Sequence, residues 1–158
     1  SAYHQGQLDK ALNYFNKSTE LNPDDYESPL LAVTIYEKNH DNDNKLRIAK
    51  VGVDRVKRYL RDYPNNQRAY YLGVGGLLAI GESESAKEWA ERAYQLAPND
   101  VATRYNLACF YARIGDVEKA LDFLENSISS RSWIENDPDL EPLHDHPRFQ
   151  TVLDALPK

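Results

Sequence analysis

A spacing of 34 residues constrains this chain more than any other feature. Gly81 and Gly115 stand 34 apart, as do Ala86 and Ala120, Tyr71 and Tyr105, and Leu77 and Tyr111. A repeat of that length is the mark of stacked helix-turn-helix units, each unable to bury its apolar face alone. The internal offsets agree. Gly6, Gly81 and Gly115 are followed five residues later by Ala11, Ala86 and Ala120, then four further on by Phe15, Ala90 and Leu124. Pro23 and Pro98 follow twelve after the alanine, and Ser132 stands there where the pattern lapses. Glycine permits the positive φ of a tight turn, alanine lets helix backbones approach, and proline ends the second helix.

The pattern resembles the tetratricopeptide repeat over about residues 1–131, most specifically in the turns LLAIGESESA and FYARIGDVEKA. The resemblance implies an all-α, right-handed superhelical solenoid of antiparallel helix pairs with a concave groove. The residues predict helix pairs at 67–80 with 83–96 and at 101–114 with 117–130. At the front, SAYHQGQLDKALNYFNKSTELNP reads as the tail of a first helix, a turn at Gly6 and a complete second helix. Native sequence is therefore expected upstream, and Ser1-Ala2 with no methionine in the chain reads as a cut fragment. The units expected are a partial first unit 1–25, an extended unit 26–66, regular units 67–100 and 101–131, and a C-terminal cap 132–158.

The extended unit departs from the period. Gly6 to Gly81 is 75 residues where two periods give 68. The seven additional residues, about two helical turns, fall around HDNDN at 40–44. A longer helix pair or a protruding loop is expected, with the second helix at 44–62 and Gly52 in the small-residue place.

That helix carries seven Lys or Arg against one acid, Asp54, within KLRIAKVGVDRVKRYLR (45–61). Its apolar positions Leu46, Ala49, Val53, Val56 and Leu60 form a core-facing stripe. The cations could serve an acidic partner, a phosphate-rich surface or nucleic acid. They could equally form a solvated outer helix balanced by neighbouring carboxylates, and the convex position of second helices in the resembled family favours this second reading.

In that family the first helix of each unit faces the groove. The resemblance places Leu30, Thr34, Glu37 and Lys38 there, then Arg68, Tyr71, Gly75 and Leu78, then Tyr105, Asn106, Cys109 and Arg113. Tyrosine gives broad contact at small entropic cost, and Arg68 and Arg113 could clamp a carboxylate. The same aromatics would also suit packing between repeats. A subclass of the family grips chaperone-tail carboxylates through paired Lys and Asn; Asn106 fits that pattern, but Tyr71 and Tyr105 stand where it needs lysine.

After residue 131 the period stops. W-I-E-N-D-P-D-L-E-P-L and H-P-R-F-Q are similar to a tail that closes tetratricopeptide arrays in bacterial adenylate cyclase, kinase and transcription-regulator proteins. Such a segment would cover the apolar face of the last repeat, using Trp133, Ile134, Leu140 and Leu143. A short helix starting near Pro147 would follow, burying Phe149, Val152, Leu153 and Leu156. His144, Asp145 and His146 offer metal-ligand chemistry, but adjacent residues in an extended chain diverge and no third histidine is near, so no metal is expected.

The remaining chemistry argues for binding rather than catalysis. GVGG at 73–76 lacks a third glycine and lies in a predicted helix, and no GxSxG, HExxH or phosphate loop occurs. Cys109 reads as a small filler, and as the single cysteine it excludes an intrachain disulfide. A net charge of −6 argues against general nucleic-acid affinity. No apolar run approaches the roughly 20 residues of a membrane span, and a cytoplasmic location is expected. No cofactor is expected. The expected partner is a protein or peptide bound in the groove; the tail resemblance adds an alternative, a regulatory or dimerisation module of a larger bacterial signalling protein.

Overall fold

The turn between paired helices is built three times in the same way. Gly81 and Gly115 adopt φ of 82° and 85°, and His40 adopts 55°. Each follows a helix end where two bonds close the last turn. The N–H of Asp41, Glu82 and Asp116 each reaches back five residues, to the carbonyls of Tyr36, Leu77 and Tyr111, all at 2.9 Å. The positive-φ residue itself donates to Glu37, Leu78 and Ala112 at 3.1 Å. This is the Schellman closure, which needs a left-handed residue after the helix. The turn expected around residues 40–44 is thus made at His40, in the same way as those at Gly81 and Gly115.

The computed structural model describes residues 1–125 and 127–156, and every described element is helical. The chain divides into two compact units, Ser1–Leu96 and Ala97–Lys158.

The first unit holds α1 (Ala2–Leu21), α2 (Glu27–Lys38), α3 (Asn42–Asp62), α4 (Gln67–Ala79) and α5 (Ser83–Leu96). α1 runs unbroken through Gly6, where an added Cβ would meet nothing within 4 Å. The expected helix tail and turn are therefore replaced by one continuous helix, exposed at Gly6, which tolerates glycine at modest cost. The seven additional residues form no loop. α3 has 21 residues where its counterpart α5 has 14, and 21 − 14 = 7. Both keep the same distance to the proline, so the insertion adds two turns at the start of α3. Asp41 caps that start by accepting from the Asn44 N–H.

First helices are capped on the same register. Asp25, Asn66 and Asp100 accept from the N–H of Ser28, Ala69 and Thr103. Two further donors hold Asp25, the hydroxyls of Ser18 and Ser28. Burial alone would raise its pKa, but these donors outweigh it and keep the carboxyl below its ordinary value.

The first unit's core lies where α2 passes between α3 and α4. Leu30, 5% exposed, packs with Tyr26, Val56, Leu60 and Ala69. Its side chain nests between two glycines: a Cβ on Gly52 or on Gly76 would stand 2.6 Å from Leu30 Cδ2. Gly52 does occupy the small-residue place, and this contact is the reason. A second cluster joins Ala32, Val33, Tyr36, Ile48 and Ala49, with Leu12 and Phe15 of α1 against it. Leu46 departs from the expected stripe and is exposed, while Ile48 is buried in its stead.

The second unit holds α6 (Val101–Arg113), α7 (Val117–Leu124), α8 (Arg131–Asn136), a 3-10 helix (Pro138–Leu143) and α9 (Pro147–Asp154). α7 ends at Leu124 rather than near 130. Serines explain the stop, because their hydroxyls compete for backbone partners: Ser127 Oγ accepts from the Ser129 N–H, and Ser130 caps α8 through the Trp133 N–H. Ile134, Leu140 and Leu143 are fully buried, as are Leu107, Leu121 and Leu124. Trp133, in contrast, is 65% exposed. Neighbours on a helix point 100° apart, so burying Ile134 turns Trp133 outward. α9 begins at Pro147 and buries Phe149, Val152 and Leu153.

Candidate functional site

The groove positions named from the sequence separate once side chains are placed. In the first unit they lie on α2 and α4, which pack side by side. Thr34 and Lys38 of α2 are exposed, and Leu78 of α4 is half-buried. Gly75 on α4 faces open space, with nothing within 4 Å of where a Cβ would be. Glu37 lies 3.7 Å from Lys45 of α3. Arg68 bridges the two first helices. Its Nε and Nη2 donate to Glu27 at 3.2 and 3.4 Å, and its Nη1 donates to the Tyr71 hydroxyl at 3.0 Å.

Two members of this set lie inside. Leu30 belongs to the core, and Tyr71 is 8% exposed with its hydroxyl held by Arg68. They support the face rather than form it. Sequence reasoning did not identify Glu27, although it stands one stretched period (41 residues) before Arg68 and carries the opposite charge.

In the second unit the chain itself occupies part of the named face. The 3-10 helix and its entry packs along α6. The Tyr105 hydroxyl donates to Asp137 Oδ2 at 2.5 Å, and Cys109 Sγ lies 3.8 Å from the same oxygen. Arg113 Nε reaches Asp139 at 4.0 Å. Asn106 is exposed and donates to the carbonyl of Ala102. Burial and then the Asp137 hydrogen bond push the Tyr105 phenol up; burial and then the charges of Asp137 and Asp139 push the Cys109 thiol up. A thiol held protonated is a poor nucleophile. Asp137 Oδ1 caps the 3-10 helix by accepting from the Asp139 N–H. Its other oxygen carries the contact to α6, which only folding brings together.

The histidines at 144–146 are placed apart. His144 stacks on Phe149 at 4.9 Å between ring centroids. His146 Nδ1 accepts from the Arg148 N–H and its Nε2 lies 2.6 Å from Glu118. Arg148 meets Glu118, Asp122 and Glu125 at 2.7, 2.8 and 2.6 Å, a network that ties α9 to α7. The Arg148 and His146 hydrogen bonds hold the Glu118 carboxyl below its ordinary value.

Comparison with known proteins adds the family. Residues 48–140, more than half of the chain, match the model described as ChAPs (Chs5p-Arf1p-binding proteins), and residues 2–25 match a tetratricopeptide repeat. Interferon-induced protein with tetratricopeptide repeats 3 of Mus musculus is 26% identical over 134 residues, 84% of this chain and 32% of that protein. Protein CTR9 homolog of Arabidopsis thaliana is 30% identical over 121 residues, 75% of this chain and 11% of that protein. The chain thus spans a third or less of the length of these relatives. Among solved structures, one of MamA is similar with a TM-score of 0.47 at 20% identity, covering 96% of this chain and 90% of that one. No described helix is long and apolar enough to cross a membrane. The matches make the chain a protein-interaction scaffold built of tetratricopeptide repeats, and it belongs to the family described as ChAPs (Chs5p-Arf1p-binding proteins).

Proposed function

We propose that the first helices of this scaffold bind a peptide or protein segment, and that the working face in the first unit is Thr34, Lys38, Arg68, Gly75 and Leu78. The observation that carries the reading is the open space over Gly75 on α4, a helix that also presents half-buried Leu78 and packs against α2 with its exposed Thr34 and Lys38. The face combines a small apolar floor with cations, which suits an apolar side chain next to a carboxylate. In the second unit Asn106 is the exposed candidate, and Arg113 is shared with Asp139. Residues 1–25, 26–66, 67–100 and 101–131 act as the repeat units in this reading, and 132–158 as the cap.

The test is a Gly75→Lys variant. Lysine is a better helix former than glycine, and its side chain would enter empty space, so the fold is expected to hold or gain up to about 1 kcal/mol. Peptides selected from a displayed library on the unmodified chain should bind the variant more than about tenfold more weakly. Equal affinity for chain and variant would refute this face as the binding surface.

A further inference from the structure

α3 carries a row of cations that the fold leaves facing outward. Its buried positions Ala49, Gly52, Val53, Val56 and Leu60 fix one side of the helix. At 100° per residue, Arg47, Lys50, Lys57, Arg58 and Arg61 fall in a single arc on the other side, with Asp54 the one acid among them. All six are exposed.

The seven cations of the helix do different things. Arg55 points toward α1, where it donates to the carbonyls of Thr19, Asn22 and Asp25 at 2.9, 3.1 and 3.0 Å and closes the end of that helix. Lys45 pairs with Glu37. Within the outward row, Arg58 lies 3.6 Å from Asp54, and Arg47 shares the amide oxygen of Asn44. Lys50, Lys57 and Arg61 meet no acidic partner among the described residues. The balance by neighbouring carboxylates expected from the sequence therefore reaches Lys45 and Arg58, and Arg47 through the charge of Asp41, but not the other three cations of the row.

The row is straight, about 21 Å from Arg47 to Arg61 at 1.5 Å per residue. Its far end meets a shallow cleft lined by Asp24, Arg55, Arg58, Tyr59, Asp62 and Tyr63. There Tyr63 stacks on Tyr59 at 4.7 Å and stays 58% exposed.

We propose that this face of α3 binds a second protein through an Asp/Glu-rich segment, with an aromatic or apolar residue of that segment seated against Tyr63. The sign of the partner follows from charge complementarity. Its class follows from the shape of the charge. A single helical row, interrupted by Asp54 and bounded by Asp43 and Asp62 in a chain of net charge −6, matches a short linear polyanion. A bilayer or a nucleic-acid backbone would press a dense negative field against the remaining acidic surface.

The probe is a labelled Glu/Ala peptide of about sixteen residues, long enough as a helix to cover the row, made with and without one tryptophan. Fluorescence anisotropy would compare the unmodified chain with K50E/K57E/R61E and with Tyr63→Ala, at low and physiological salt. Phosphatidylserine vesicles and a single-stranded oligodeoxynucleotide serve as rival ligands. The expected result is peptide binding that weakens with salt and falls by about tenfold or more in the triple variant. Tyr63→Ala should cancel the gain from the tryptophan, and circular dichroism should show the variants folded. No peptide binding at low salt, or equal binding by chain and triple variant, would overturn the proposal. Tighter binding of the vesicles or the oligonucleotide than of the peptide would overturn the assignment to a protein partner.

Discussion

Asp137 takes the Tyr105 hydroxyl on the same carboxylate oxygen that lies 3.8 Å from the Cys109 sulfur. One side chain from the entry to the 3-10 helix thus engages two α6 residues a helical turn apart. Tyr105→Phe keeps the ring and removes this bond to a charged acceptor, which is expected to cost about 1.5–3 kcal/mol. Urea unfolding of the variant checks it. A loss near zero would mean that the bond contributes nothing net to the packing of the C-terminal segment.

Cys109 should react slowly. Its thiol is half-buried, and that burial with the facing carboxylates of Asp137 and Asp139 holds it protonated. Labelling by iodoacetamide at mildly alkaline pH is expected to run well below the rate of a free cysteine, and Asp137→Asn should raise it. A native rate equal to that of the urea-unfolded chain would contradict the burial of the site.

The three positive-φ turn residues should respond in opposite directions. His40→Gly relieves a left-handed β-carbon and is expected to stabilise the chain by up to about 1 kcal/mol. Gly81→Ala and Gly115→Ala impose that strain, at about 1–2 kcal/mol each. Open space surrounds both glycines, so no clash confuses the comparison. Thermal unfolding of the three variants tests it, and destabilisation by His40→Gly would show that the histidine side chain has a role of its own.

Acid should weaken the helix starts. The Asp25, Asp41 and Asp100 carboxyls are each held below their ordinary value, the latter two mainly by donors on Asn44 and Thr103. A depressed folded-state pKa contributes stability that is full above the unfolded value of about 3.9 and lost as pH falls through the lower folded value. Urea midpoints should hold from neutral pH to about 5 and then decline. The D25N/D100N variant keeps capping side chains that do not titrate, so its decline should be shallower; an unchanged acid slope would disprove the linkage.

The sequence by itself determined the helix pairs, since a 34-residue period, capping residues and proline stops are local signals. The periodic positions held where they depended on short-range geometry: the turns at Gly81 and Gly115, the small residue at Gly52, and the start of α9 at Pro147. Tertiary structure decided what spacing cannot encode. The insertion became two turns of α3 because the Tyr36–Asp41 closure kept the turn tight, with histidine where its equivalents have glycine. Leu30 and Tyr71 moved inside because neighbouring helices cover them, and Tyr105 and Cys109 met Asp137 across some thirty residues of chain. Which face of a helix is covered depends on what packs against it, and so does which cation finds a carboxylate. The period makes the scaffold; the packing selects the residues it can offer to a partner.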